Sequence, residues 1–76
     1  MSSRKLHSLK LEFHRVTDDH AQDLYTHIAL LELEINHGLT VFQTSCNTLE
    51  FETAEARTFA QLVLARFSQF TARVEN

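Results

Sequence analysis

Leu9, Leu11 and Phe13 alternate with Lys10, Glu12 and His14, the period of two that marks a strand with one face buried and one wet. Thr17, Asp18 and Asp19 follow; all three side chains can accept backbone N–H bonds, so they read as a turn or a helix N-cap. Residues 20–36 then carry two periods at once. Ala21, Leu24, Ile28, Leu31 and Ile35 recur at intervals of three and four, a helical stripe with Asp18 and Asp19 at the positive end of the dipole and Gly38 just past its end. Against this, Leu31, Leu33 and Ile35 alternate with Glu32, Glu34 and Asn36, and Leu30 and Leu33 fall off the stripe, so the second half reads better as a strand.

Asn36-His37-Gly38 suits a three-residue hairpin loop with the glycine in the left-handed conformation. In that register Ile35 faces Leu39 and Leu33 faces Val41, while Glu32 and Glu34 point away. The hairpin is therefore the preferred reading and the helix the alternative. Thr40 to Thr44 is rich in strand formers, Ser45 to Thr48 resembles a turn, and Leu49-Glu50-Phe51 resumes the sheet. From Thr53 the pattern becomes helical: Thr53 can cap, Glu55 lies in the first turn, Arg73 lies near the end, and no residue between breaks a helix. Ala56, Phe59, Val63, Phe67, Phe70 and Val74 form its stripe, and Leu62 and Leu64 widen the apolar arc to about 200°. The expected fold is α+β, a small antiparallel β-sheet packed against one long C-terminal helix. Its order is β-β-β-α, or β-α-β-β-α if residues 20–36 are helical.

With 76 residues the chain is expected to form a single small domain, residues 1–5 being a frayed tail. A domain of this size buries only about 60% of the surface its unfolded chain exposes, so it needs reinforcement. One cysteine excludes an internal disulfide, and no Cys/His cluster has zinc spacing. Oligomerisation remains, and an apolar fraction of 43% is generous for so little interior. We therefore expect a homodimer, with Phe59, Leu62, Val63, Phe67, Phe70 and Val74 forming the helix that builds core and interface. No apolar run follows Met1 to Lys5 as in a secretory signal, none reaches the ~20 residues of a membrane span, and a lone Cys46 suits a reducing compartment; the expected address is the cytoplasm.

Charge adds one feature. Between Arg15 and Arg57 there is no lysine or arginine, yet Asp18, Asp19, Asp23, Glu32, Glu34, Glu50, Glu52 and Glu55 all lie there. The flanks carry +3 and +2 and the middle −8, giving the net −3. Such asymmetry bears on partners, not on fold. In the hairpin reading Glu32 and Glu34 project beside Phe42, a negative patch with an aromatic anchor for a basic protein surface. The expected function is accordingly a non-enzymatic interaction protein, a regulator or inhibitor. Two alternatives stand beside it. A metal site could use His20, Asp23 and His27, although i and i+7 are about 10.5 Å apart along a helix axis, a long reach for one ion. A small DNA-binding regulator would need a basic face, and only seven lysines and arginines are present, four of them in the first fifteen residues. Glycine-rich phosphate loops, nucleophile elbows and H-E-x-x-H are absent from the sequence. Cys46 is the one conceivable nucleophile, and an isolated cysteine is more often a small buried hydrophobe. Neither a catalytic residue nor a cofactor is expected.

Overall fold

The structure is a computed structural model and describes residues 5–75; the expected frayed tail falls, but for Lys5, outside them. Six elements follow in order: β1 (His7–Phe13), α1 (Asp19–Leu31) prolonged by a π-helical turn (Glu32–Asn36), β2 (Val41–Ser45), β3 (Thr48–Phe51), α2 (Ala54–Leu64) and β4 (Phe70–Glu75). The strands lie in the order β2-β3-β1-β4, every neighbouring pair antiparallel. This βαββαβ succession is the split βαβ, ferredoxin-like arrangement. Both helices cover one side of the sheet, α1 over β2 and β3 and α2 over β1, β3 and β4. Leu9, Leu11, Val41, Leu49, Phe51, Phe70 and Ala72 from the strands meet Ala29, Leu30, Leu33, Ala60 and Leu64 from the helices in a single core. Among the described residues no helix is long and apolar enough to cross a membrane.

Residues 20–36 are helical, which overturns the preferred hairpin. Asp18 caps the helix by accepting the Ala21 N–H at 2.9 Å, and the Gln22 side-chain amide donates to the Val16 carbonyl at 2.7 Å. The helix buries Thr26, Ala29, Leu30 and Leu33, a stripe on the side opposite the one the sequence pattern singles out. Leu30 and Leu33, read as strand residues, are its core contacts. Gly38 ends the helix at φ 66°, donating to the Glu34 carbonyl at 3.1 Å while Leu39 donates to that of Leu33 at 3.2 Å, the bond pattern of a left-handed C-cap. The hairpin lies further on, with Cys46 and Asn47 as its turn and Ser45 facing Thr48.

The long C-terminal helix does not exist either. α2 stops at Leu64, and tightened bonds from the Ala65 N–H to Leu62 and the Phe67 N–H to Leu64 close it. The chain turns through Ser68 and Gln69 and returns as β4, paired with β1 from Phe13↔Phe70 to Ser8↔Glu75. A strand here satisfies the row of backbone donors and acceptors along β1 that a helix would leave open. It also buries Phe70 and Ala72, while Phe67 stacks on Phe70 at 5.2 Å between ring centroids. Neither β-β-β-α nor β-α-β-β-α describes the chain, because both end in that helix.

Candidate functional site

The helix layer turns an apolar surface outward. On α1 and its π-helical turn, Leu24, Ile28, Leu31 and Ile35 are 59%, 43%, 38% and 74% exposed; at 100° per residue they lie roughly opposite the buried Thr26, Ala29, Leu30 and Leu33. On α2, Phe59 and Leu62 are 43% and 71% exposed, opposite the buried Ala60 and Leu64. Because both buried stripes face the same side of the sheet, both exposed stripes point the same way. Phe59 and Leu62 also border a shallow hollow with Ala54, Glu55 and Thr58. Two contacts tie the helices together beside this face: the His37 ring meets Phe59 edge-on at 5.3 Å, and Arg66 holds Glu32 at 2.6 Å.

The carboxylates of α1 are mostly engaged. Asp18 caps the helix, Asp23 accepts the Gln43 amide at 2.8 Å, and Glu32 accepts from Asn36 at 2.9 Å as well as from Arg66. Glu34 is exposed at the negative end of the helix, where no basic residue offsets it.

Glu32, Glu34 and Phe42, expected on one patch, lie on different layers: the glutamates on the π-helical turn and Phe42 on β2 at the uncovered side of the sheet, level with Glu50. Of the residues expected to form the C-terminal helix, Phe59 and Leu62 sit on the outward face of α2, Val63 is half-buried against the core, Phe67 lies in the α2–β4 link, and Phe70 and Val74 belong to β4. Apart from Phe42 on its edge strand β2, the uncovered sheet face is polar and internally bonded. Ser8 donates to Glu50 at 3.0 Å, Arg73 pairs with Glu12 at 2.7 Å, and the His14 Nε2 meets the Thr71 hydroxyl at 2.7 Å. Ser8, Lys10 and Glu12 on β1 and Thr48 and Glu50 on β3 leave its two central strands without an aromatic ring, and Phe42 on this face lies on the edge strand β2.

His20, Asp23 and His27 share one flank of α1 and are exposed. Among the described residues no three His, Cys, Asp or Glu side chains are placed to hold a metal ion. Cys46 is half-buried in the β2–β3 turn; its thiol donates to the Gln22 side-chain oxygen at 3.8 Å, and its carbonyl accepts from the buried Thr26 hydroxyl at 2.7 Å. A cleft of about 320 Å³ at the β4 edge contains the His14–Thr71 pair beside Phe67 and Phe70, and no carboxylate lines it to orient the imidazole. Periodicity alone does not place the outward stripe, because its residues read as core positions; the available signal is that Ile28 to Ile35 is apolar on nearly every side of a helix, more than one packed face requires. The chain matches no protein-family model, no curated protein and no solved structure.

Proposed function

We propose that the protein is a non-enzymatic protein-interaction module whose working surface is the outward face of its helix layer. The observation that carries this reading is the exposed stripe Leu24, Ile28, Leu31 and Ile35 set opposite the buried stripe of the same helix. A helix apolar on both sides is one that something covers on both sides. The chemistry of the face suits a protein rather than a nucleic acid, since α1 and its π-helical turn contain no lysine or arginine. Glu34, exposed beside the stripe with no basic residue in its turn, is the acidic contact expected to contribute to docking, so that contribution is local.

Native-state sizing of the protein in extract from its own cell tests the proposal. The chain should migrate well above its 8.8 kDa, and Leu31→Asp combined with Ile35→Asp should shift it to the monomer position. A wild-type chain that migrates as a monomer in extract refutes the reading.

A further inference from the structure

We infer that the outward face of α1 is covered by α1 of a second copy of this chain, the two helices packing antiparallel about a two-fold axis between Ile28 and Leu31. The inference rests on the interaction-module reading and names its partner. Positions 24, 28, 31 and 35 follow the four-three-four spacing with which one helix seats along another at a shallow angle. That seam is complementary to its own reversal. Leu24 meets Ile35 of the second copy and Ile28 meets its Leu31, each contact made twice, as a two-fold interface requires.

Area points to a partner of modest footprint. The partly exposed apolar side chains of the two helices leave on the order of 500 Å² uncovered. The α1 seam takes four of the six side chains concerned, Leu24, Ile28, Leu31 and Ile35, less than the ~800 Å² per partner of a standard interface, which a second helix laid along α1 fits. A chain of 76 residues with no disulfide has, besides, few other ways to be reinforced.

Charge sets the direction. By helical position, His20 and His27 flank the seam on the side away from α2, with Glu34 just beyond them, and Glu32 flanks it on the other side. Glu32 is already neutralised by Arg66 at 2.6 Å. A parallel pair would set the flank bearing Glu34 against the partner flank bearing Glu32 and align the two helix dipoles. The antiparallel pair instead brings His27 of each copy alongside Glu34 of the other. A basic amphipathic helix from another protein is the competing occupant. It would find Glu34 as the carboxylate beside the seam that no basic residue of the turn offsets and no run of acidic side chains along the seam to meet its cations, so charge favours the second copy.

The test uses the purified chain with nothing added. Light scattering and sedimentation at micromolar concentration should give twice the 8.8 kDa of the monomer. Leu31→Asp with Ile35→Asp should weaken association by at least about 100-fold, as loss of two central apolar contacts implies, with an unchanged circular dichroism spectrum. Ile35→Ser, at a position 74% exposed, supplies a second variant whose fold is not at risk and should weaken association in the same direction. Orientation is read by disulfide trapping in a Cys46→Ser background. Leu24→Cys mixed with Ile35→Cys should give mainly the mixed cross-linked dimer, because in the antiparallel pair two copies of position 24 lie about 16 Å apart along the axis. A monomeric purified chain, a dimer untouched by these variants, or cross-links mainly between like variants would overturn the inference. If the purified chain is monomeric while the protein in extract remains in a larger species that the double variant abolishes, the second copy is wrong and the interaction module stands.

Discussion

On the uncovered side of the sheet, Ser8, Glu12 and His14 each find a partner across the strands, at 3.0, 2.7 and 2.7 Å; on the outward side of the helices, Leu24, Ile28, Leu31 and Ile35 are left to water. Both are outer surfaces of the same two-layer sandwich. Phe42 on the edge strand β2 is a single exposed apolar ring there; the rest of the sheet face needs nothing further, since its polar side chains are satisfied within the molecule or by solvent and its strands already bury their other side. The helix face retains apolar area that folding the monomer does not use. Where in a fold such residues lie, rather than how many there are, separates surface that supports the fold from surface that awaits a partner.

The largest expected effect tests whether α1 really has two different apolar sides. Leu33→Ala, at a position fully buried beneath the helix, should cost about 2–5 kcal/mol of stability by chemical denaturation. Ile35→Ala, two residues away and 74% exposed, should cost no more than about 0.5 kcal/mol in the monomer. Comparable losses at the two sites would mean that the outward stripe belongs to the fold and not to an interface. A smaller effect sharpens the same division. Thr26→Val keeps the shape but removes the hydroxyl that donates to the Cys46 carbonyl at 2.7 Å, and should cost about 1–3 kcal/mol through the lost bond and the acceptor left short of a donor, with the dissociation constant of the assembly unchanged.

The sequence was informative where one period dominated. Leu9, Leu11 and Phe13 were legible as a strand because their alternation has no competitor, and Leu49 to Phe51 likewise. Residues 28–35 were not, because a helix that is apolar on two opposite sides contains alternating positions by accident. Leu31, Leu33 and Ile35 look like one face of a strand but divide between the outer and inner sides of α1. At the C-terminus the error ran the other way. Phe59, Val63, Phe67, Phe70 and Val74 keep helical spacing across a real boundary at Leu64, and without glycine or proline nothing local announces it. The alternation of Phe70, Ala72 and Val74 with Thr71, Arg73 and Glu75 was present, but its cause is tertiary: β1 has a free edge, and six residues pair along it. The candidate surface was legible only as a surplus of apolar residues. Its location required the helix to be placed on the sheet first.

Glu34 links the two properties with opposite signs. It lies at the negative end of α1 with no cation in the turn, so Glu34→Lys should stabilise the isolated fold by about 0.3–1 kcal/mol through the helix dipole. The same substitution sets a lysine beside His27 of the second copy and should weaken association. Thermal unfolding of a dilute monomeric sample, read against sedimentation of a concentrated one, separates the two. A change of the same sign in both would remove Glu34 from the interface.

The smallest effect belongs to the sheet face, and it is the control for the whole comparison. Arg73 and Glu12 make a direct pair at 2.7 Å, but their side chains are 64% and 42% exposed, so water screens the attraction and two long side chains give up rotamer freedom to hold it. A double-mutant cycle with Glu12→Gln and Arg73→Gln should therefore return a coupling of about 0.2–1 kcal/mol that shrinks as salt is raised through the physiological range. Because neither residue lies on the helix layer, every corner of the cycle should retain the wild-type dissociation constant. If either single variant instead released the assembly as readily as Ile35→Ser, the polar sheet face would be an interface too, and apolar exposure alone would not have located the surface that this protein uses.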